Sequence, residues 1–323
     1  MGYNSLRNQS PIFHSDDETL NDFFDFFSGA KKGHLTKYIY FGLTVDWYQQ
    51  LQNYKPYYLI ETEKELIKAT VNSHFGQKLA AYNIDQLFEI GPGTTISLKC
   101  KTIPLLKAFN PKDYYAIDIY PQYALTAASY IYKSLKINPN VLCHDAFAKL
   151  SLPFNHSCNA IMMLGGTFGN MLPQVAFSFL AMLSKALKKD DYFILSFDSN
   201  KHANSLRHAY YNKYTKQLAL NPLRFLKSYC KLPDFDSEAF TVKYQWNKEL
   251  SAAELLIVPK IKQALILGNQ PMTLDKDLKL VVTFSRKYFL YELAGLVEKF
   301  NFRLVDAFRM EGNPIVLAVF KRR

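Results

Sequence analysis

The sequence predicts an α/β protein built around a mainly parallel sheet with helices on both faces. From about Glu65, short apolar runs alternate with segments of helical spacing, which is typical of βαβ units. Glycine-rich segments or acidic residues follow the apolar runs. Sheets of this kind bind ligands at the carboxyl ends of their strands. The chain closes with a helix and two further strands. These three observations predict the fold class and the edge of the sheet that carries the site.

Five apolar runs are predicted to form the parallel strands, at residues 86–90, 114–119, 140–143, 159–164 and 192–197. The segments before and between them have helical composition or spacing, at residues 63–75, 97–108, 123–134 and 172–187. Crossovers between parallel strands are nearly always right-handed, which limits the topologies that the sheet can adopt.

The end of the chain predicts how the sheet is completed. A helix at 288–299 leads into two strands at 303–309 and 314–321, which connect through Gly312. A helix followed by a closing hairpin is how the seven-stranded, Rossmann-like sheet of class I SAM-dependent methyltransferases ends. We therefore expect that fold class.

The segment at 200–279 breaks the alternation and, with the first 60 residues, predicts an additional lobe over the cofactor face. Its expected elements are a helical stretch, two strands joined as a hairpin, and a third strand, at residues 206–220, 240–246, 253–259 and 278–284. We assign residues 61–199 and 286–323 to a SAM-binding methyltransferase domain, and residues 1–60 and 200–285 to the lobe.

The chain of 323 residues contains 39 Lys and Arg but only 28 Asp and Glu, which gives a net charge of +11. Such an excess of positive charge raises the question of nucleic-acid binding. The basic residues are dispersed, and the densest groups, such as residues 321–323, form no long stripe with interleaved aromatics. We interpret the charge as a lysine-rich solvated surface and expect no nucleic-acid partner.

Composition also bears on compartment and metal content. The sequence contains no run of about 20 apolar residues, which is what a membrane span requires, and residues 1–10 are polar without the apolar core of a signal peptide. The spacings of Cys100, Cys143, Cys158 and Cys230 fit no zinc or redox motif. We therefore expect a cytoplasmic protein without a metal or a membrane partner.

The segment after the first strand contains a glycine motif that predicts a cofactor site. Gly91 and Gly93 form a G-x-G between strand and helix, where a tight glycine turn lets the backbone approach a ligand. A dinucleotide fingerprint needs a small residue three positions on, and Ile96 stands there, which disfavours NAD. An acidic residue before the first glycine, here Glu89, is common in SAM-binding loops.

Two aspartates follow the next two strands of the predicted sheet. Asp118 is placed to accept both ribose hydroxyls of a nucleoside, and Asp145 lies where contacts to an adenine amine usually arise. Each could instead cap the helix that follows it. Because polar residues recur at consecutive strand ends, we favour a SAM site over capping alone.

Several motifs resemble those of the histidine-specific, SAM-dependent methyltransferase family, which includes the histidine Nα-methyltransferases of ergothioneine biosynthesis. The resemblance runs from about Lys37 to the end. The motifs that carry it are Lys37-Tyr38-Ile39-Tyr40, Tyr57-Tyr58-x-x-Glu61-Thr62-Glu63, Leu87 to Gly93, Tyr115 to Asp118, Leu164-Gly165-Gly166-Thr167-Phe168-Gly169-Asn170, Trp246-Asn247-x-Glu249-Leu250 and Phe284-Ser285-Arg286-Lys287-Tyr288.

The resemblance implies that the additional lobe binds the substrate, and it implies roles for individual residues. The implied contacts to S-adenosylmethionine, the cofactor, come from Gly91, Gly93, Asp118, Asp145, Ala146 and Gly165. The implied contacts to the methyl acceptor, an amino acid, come from Tyr57, Asn170, Tyr210 and Ser285. Thr283 lies at a position that faces the side chain of that amino acid. Tyr40 falls on an active-site tyrosine, and Tyr48 falls where the family often has a phenylalanine that lines the pocket.

Asn170 is the residue that we most expect to act in catalysis, and Tyr40 is the second catalytic candidate. Methyl transfer from a sulfonium is an in-line displacement that needs a neutral amine, so positioning supplies most of the acceleration. A carboxamide can accept a hydrogen bond from the amine and aim its lone pair. The alternative for Asn170 is a cap on the helix that begins near Leu172.

The sequence departs from the family at three places. Ser97 stands where the family has a lysine or arginine, with Lys99 two residues on, and the segment from Tyr210 reads Tyr-Tyr-Asn instead of Tyr-Asp-Asp. Thr283 replaces a glutamate that binds the imidazole of histidine in histidine-selective members, and a methionine of that site is replaced near Leu255. Threonine cannot make the charge-assisted contact of a carboxylate. We therefore expect an aromatic or uncharged amino acid in preference to histidine.

The resulting prediction is a monomeric enzyme that methylates the α-amino group of an amino acid or related small amine. Two alternatives remain open from the sequence. One is a methyltransferase that acts on a protein or nucleic acid, and the other is a binding protein with a degenerate SAM fold.

Overall fold

The computed structural model describes residues 16–30, 34–41, 45–154, 157–232 and 234–323. The chain forms two units. The first comprises Leu59–Asn200 and Lys287–Arg323, and the second comprises the described part of Phe13–Tyr58 together with Lys201–Arg286.

The strands in chain order are β1 (Gln86–Ile90), β2 (Asp113–Asp118), β3 (Asn140–Cys143), β4 (Asn159–Met163), β5 (Tyr192–Asp198), β6 (Phe240–Asn247), β7 (Ala252–Pro259), β8 (Gln263–Leu267), β9 (Gln270–Leu274), β10 (Leu280–Arg286), β11 (Phe302–Phe308) and β12 (Ile315–Arg322).

The α-helices are α1 (Asp16–Phe27), α2 (Val45–Gln52), α3 (Leu59–Asn72), α4 (His74–Ala80), α5 (Thr95–Ser97), α6 (Ile103–Phe109), α7 (Pro121–Leu135), α8 (Pro173–Ala186), α9 (Ala203–Tyr210), α10 (Lys213–Tyr229) and α11 (Leu290–Glu298). The described chain also contains two 3-10 helices, His34–Tyr40 and Thr167–Asn170, and a π-helical turn, Leu98–Thr102.

The first unit is organised around a seven-stranded sheet with the order β11-β12-β5-β4-β1-β2-β3. Strands β1 to β5 are parallel, and β12 lies antiparallel between β5 and β11. The order reverses beside β1, which places a crevice at the carboxyl ends of β1 and β4. This topology confirms the predicted class I methyltransferase fold.

Burial on both faces explains why these segments form strands. All residues of β1, β4 and β5 are buried, so nearly continuous apolar runs are required there. One core cluster, which includes Phe88 and Phe179, and a second, which includes Leu87 and Leu106, contain residues of alternate positions in β1. The sheet is therefore packed on both sides.

The second unit contains a three-stranded antiparallel sheet, β10-β7-β6, and the separate hairpin β8–β9. The predicted hairpin through residues 247–250 is confirmed by the antiparallel register of β6 and β7. The core of this unit is aromatic, and Phe23, Tyr38 and Phe225 pack in it with ring centroids 5.0–6.1 Å apart.

Two predicted helices are each divided in the structure. The helix predicted at 63–75 is formed by α3 and the start of α4, with Ser73 as the N-cap of α4. The helix predicted at 206–220 is formed by α9 and α10, which meet at Asn212. Its side chain accepts from the backbone N–H groups of Tyr214 and Thr215, and a capping box therefore starts a new helix there.

A buried ion pair lies where the chain leaves the first unit and returns to it. Lys287 Nζ is 2.7 Å from Asp198 Oδ2, and both side chains are almost fully buried. The backbone N–H of Tyr288 also donates to the Asp198 carbonyl, at 3.2 Å. The end of β5 is thus tied to the residues that follow β10.

We find no helix, in the ranges that the structure covers, with the length and apolarity that a membrane crossing requires.

Candidate active site

The glycine loop after β1 is held open by backbone geometry. Gly91 and Gly93 have φ of +68° and +75°, which side chains rarely tolerate. A Cβ atom at Gly93 would lie 3.3 Å from Ser97 Oγ. The N–H of Gly91 donates to the carbonyl of Ile117 at 2.8 Å, which ties the loop to the end of β2. The loop therefore presents backbone without side chains, as a close-fitting ligand requires.

Glu89 lies beneath this loop and makes internal hydrogen bonds. Its carboxylate accepts from Thr102 Oγ1 at 2.9 Å and from the Tyr114 hydroxyl at 2.6 Å. Burial raises the pKa of Glu89 to about 7, although both hydrogen bonds oppose the shift. The residue thus connects β1, β2 and the π-helical turn.

Asp118 ends β2 with capacity to accept further hydrogen bonds. Its carboxylate accepts from the backbone N–H of Tyr120 at 2.9 Å, and burial raises its pKa to about 7. No basic side chain pairs with it in the part of the chain that the structure describes. An ionised carboxylate has about four acceptor sites, so Asp118 can form its local turn and still accept ribose hydroxyls.

The end of β3 carries Asp145, Ala146 and one polar group that sequence reasoning missed. Asp145 Oδ1 accepts from the backbone N–H of Phe147 at 2.9 Å, which is the same local turn that Asp118 makes. The Ala146 methyl group is buried in a core cluster, so a cofactor contact there would have to involve its backbone. The Nε2 atom of His144 is buried without a hydrogen-bond partner among the described residues. Its position directly after a strand end was the available signal.

The loop after β4 contains two consecutive residues in the left-handed region. Gly165 and Gly166 have φ of +76° and +74°, and the 3-10 helix that follows ends at Asn170. The N-cap of α8 is Leu172 and makes no side-chain cap bond, so Asn170 does not cap that helix. Within the described ranges its half-buried carboxamide makes no hydrogen bond. The catalytic role of Asn170 stays a prediction.

The basic residue near the glycine loop is not the one that sequence reasoning considered. Lys99 is exposed, and Ser97 is buried against Gly93. The π-helical turn instead places Lys101 in the interior, with its Nζ 3.1 Å from Glu63 Oε2. The 38-residue separation of Glu63 and Lys101 in the sequence gave no signal of this pair.

In the second unit, the structure brings together the four tyrosines that were predicted to surround the acceptor. We call Tyr40, Tyr48, Tyr57 and Tyr210 the tyrosine cluster. The rings of Tyr57 and Tyr210 meet edge to face at 5.7 Å, and those of Tyr40 and Tyr48 at 5.0 Å. Burial, followed by the proximity of Tyr210, Tyr48 and Tyr40, raises the pKa of Tyr57 well above its usual value. Its phenol is therefore a hydrogen-bond donor at neutral pH.

Strand β10 carries two further residues of this unit that were predicted to contact the methyl acceptor. The hydroxyl groups of Ser285 and Tyr210 are 3.1 Å apart. Thr283 lies two residues earlier, on the same side of the strand, and Thr36 Oγ1 donates to its hydroxyl at 3.4 Å. Ser285 is thus joined directly to the tyrosine cluster.

Together, the first-unit residues fit S-adenosylmethionine. The glycine loop offers bare backbone, the Asp118 carboxylate offers acceptor sites without a competing cation, and His144 offers an unpaired polar atom. In class I methyltransferase folds, such groups at consecutive strand ends can hold a nucleoside and its amino-acid tail.

Comparison with known proteins identifies relatives of this chain. Histidine N-alpha-methyltransferase of Mycolicibacterium smegmatis is 25% identical over 242 residues, which cover 73% of each protein. Ergothioneine biosynthesis protein 1 of Schizosaccharomyces pombe is 23% identical over 275 residues, which cover 81% of this chain. The matched segment spans only about a third of that yeast protein (35%).

Solved structures also match. A SAM-dependent methyltransferase from Clostridium acetobutylicum has a TM-score of 0.44 and 14% identity, over 81% of this chain and 91% of that one. The PH0226 protein from Pyrococcus horikoshii has a TM-score of 0.42 and 14% identity, over 78% and 94%.

The family match covers most of the sequence. Residues 24–322 match the family described as histidine-specific, SAM-dependent methyltransferases. Together with the strand order of the first unit, this match gives S-adenosylmethionine as the cofactor. The chain belongs to the histidine-specific, SAM-dependent methyltransferase family.

Proposed function

We propose that this methyltransferase acts on the α-amino group of an amino acid or a related small amine, and that L-histidine is not its preferred acceptor. The observation that carries the proposal is the chemistry of the tyrosine cluster with Ser285 and Thr283. These side chains offer hydroxyl groups and aromatic faces. Thr283 lies at the position where the family resemblance predicts a carboxylate that would pair with imidazole. The name of the Mycolicibacterium smegmatis relative, histidine N-alpha-methyltransferase, supports methylation of an amino acid.

Each group of residues has a distinct part in this proposal. S-adenosylmethionine, when bound, supplies an electrophilic methyl group on a sulfonium centre. Gly91, Gly93, Asp118, Asp145 and Gly165 would hold it by backbone and carboxylate contacts. Asn170 would accept a hydrogen bond from the acceptor amine and orient its lone pair. Positioning of this kind can supply most of the barrier reduction.

The tyrosine cluster would bind the acceptor's other groups. Because the pKa of Tyr57 is raised, its hydroxyl stays protonated and can donate to the acceptor carboxylate. Ser285 and Tyr210, whose hydroxyl groups already meet, offer a second pair of polar atoms. Ring edges and faces in the cluster suit an aromatic or uncharged side chain.

A ligand screen tests the proposal in two stages. Calorimetry with S-adenosylhomocysteine measures cofactor binding, and absence of binding at millimolar ligand would point to a degenerate site. Thermal shift with the twenty amino acids and their amines, at saturating S-adenosylhomocysteine, then finds the acceptor, because a ligand that binds only the native state raises the Tm. Mass spectrometry of the reaction with each hit counts the methyl groups. Histidine as the strongest hit, with efficient turnover, would refute the selectivity that we propose.

A further inference from the structure

A buried ion pair lies close to the loop after β4 in the first unit. Glu63 of α3 and Lys101 of the π-helical turn are 3.1 Å apart, with side-chain exposures of 2% and 6%. Removal of water from two charges is costly, and a pair of apolar residues is often at least as stable in such a place. Stability alone is therefore a weak reason for this pair.

The remaining contacts of Glu63 are directed at the loop. Its Oε1 atom accepts from the backbone N–H of Gly165 at 2.9 Å and from the Ser196 hydroxyl. The Gly165 N–H also lies 3.0 Å from Ser196 Oγ. One carboxylate oxygen thus holds the lysine, while the other holds the first residue of the glycine turn.

The loop in turn packs tightly against the lysine. A Cβ atom at Gly165 would lie 2.9 Å from Lys101 Nζ, so the end of the lysine would have to move, and the φ of +76° independently disfavours a side chain there. Gly165 and Gly166 are both in the left-handed region, which glycine adopts without the steric cost that a side chain would carry. The turn is held between a carboxylate that binds its N–H and an ammonium that touches its Cα side.

The helix that supplies Lys101 is itself irregular. A π-helical turn, Leu98–Thr102, separates α5 from α6 and places Lys101 inside while Lys99 stays exposed. Turns of this kind are frequent at functional sites. An irregular helix, a buried charge pair and a left-handed glycine turn therefore converge on the segment that ends at Asn170.

We propose that Glu63 and Lys101 are positioning residues for methyl transfer, which fix the Gly165–Gly166 turn and through it the placement of Asn170. This inference rests on the proposed function of Asn170. We expect the pair to keep residues 165–170 conformationally ordered, whichever methyl acceptor the enzyme uses.

The test compares Glu63→Gln, Lys101→Met and the double variant, with Lys107→Met as the control because Lys107 is exposed on α6. Each single variant removes one member of the Glu63–Lys101 ion pair while the other stays buried and charged, and should lose much of its thermal stability. The double variant removes both charges, so its Tm should return to within a few degrees of that of the wild type. The control should match the wild type in every measurement.

Amide exchange of the loop and steady-state kinetics then distinguish a positioning role of the pair from a purely stabilising one. In the double variant, amides of residues 165–170 should exchange at least about tenfold faster, and kcat should fall at least about tenfold with the acceptor KM within about threefold. Wild-type exchange and wild-type kcat in a stable double variant would overturn the proposal.

Two further outcomes are informative. If the double variant does not fold, Ser196→Ala removes one contact to Glu63 without leaving a charge. Faster exchange at residues 165–170 would support the proposal, and unchanged exchange would overturn it. If the wild type transfers no methyl group to any acceptor, the proposed function fails, while loop exchange still decides whether the pair orders the loop.

Discussion

Thr283 and Leu255 are direct partners in the antiparallel register of β10 and β7. Paired residues of neighbouring strands lie on the same face of a sheet, with Cβ atoms about 5 Å apart. Thr283, at the position where the family resemblance predicts a glutamate, and Leu255, near the predicted methionine position, are therefore neighbours in space. Together these two side chains offer a hydroxyl group and an aliphatic surface.

Thr283→Glu should move acceptor preference toward histidine. A carboxylate at this position can make a charge-assisted hydrogen bond to imidazole, so kcat/KM for histidine relative to the best native acceptor should rise at least about tenfold. Competition between the two acceptors, followed by mass spectrometry, measures the ratio. Thr283→Gln is the matched control, since it has similar length and no charge. An equal rise in both variants would contradict a role for charge.

Asp118→Asn should weaken S-adenosylhomocysteine binding about 10- to 100-fold, because a neutral amide replaces a charged acceptor. Calorimetry on this variant and on Asp113→Asn, at the opposite end of β2, gives the comparison. The Asp113 variant should bind like the wild type. Equal affinities in all three proteins would rule out the predicted ribose contact.

Cofactor affinity should also depend on pH through Asp118. With a pKa of about 7, this carboxyl is mostly protonated at pH 6 and mostly ionised at pH 8. Ligand hydroxyls prefer the ionised acceptor, so wild-type affinity should rise roughly tenfold from pH 6 to pH 8. Asp118→Asn should flatten that dependence. An unchanged slope in the variant would assign the pH effect to another group.

Asn170→Ala should lower kcat about 100-fold while the dissociation constant of S-adenosylhomocysteine changes little. Loss of the carboxamide removes the group that orients the amine, and misplacement by about 1 Å can cost that factor. Asn140→Ala, at an exposed residue of β3, serves as the control. A fall in cofactor affinity that accounts for the whole loss of rate would place Asn170 in cofactor binding instead.

Glu89→Gln should change how stability varies with pH. The folded pKa of Glu89, about 7, lies above its ordinary value of 4.5, so between these values the folded state binds the proton more tightly. Its contribution to stability is present at low pH and is lost as pH rises toward 7. Urea unfolding at pH 5 and pH 8 should show the variant gaining about 3 kcal/mol relative to the wild type. A constant difference between the two proteins would contradict a raised pKa.

The centre of the parallel sheet could be predicted because β1, β4 and β5 are buried on both faces and therefore read as short apolar runs. The limits predicted at residues 86–90 and 140–143 agree with β1 and with the more exposed edge strand β3. Parallel topology then places the ends of successive strands on one edge, so the sequence alone predicts that Gly91, Asp118 and Asp145 follow strand ends on the same edge, where the structure has them.

The elements that sequence reasoning missed depend on individual hydrogen bonds or on segments whose polar and apolar residues do not alternate regularly. Asn212 begins a new helix through its own side chain, which composition does not reveal. The hairpin β8–β9 was not predicted because Ala264 and Ile266, both exposed, interrupt the alternation of polar and apolar residues. The π-helical turn likewise has no period that the sequence displays, so Lys101 could not be assigned to the interior.

The ion pair of Asp198 and Lys287 has an evolutionary consequence. It fastens together the two points at which residues 201–286 are inserted into the methyltransferase sheet. An insertion whose ends are neighbours imposes little on its host. If the second unit binds the acceptor as we propose, residues such as Thr283 can diverge without changing the sheet that holds the cofactor, and one catalytic scaffold can acquire new substrates by local drift.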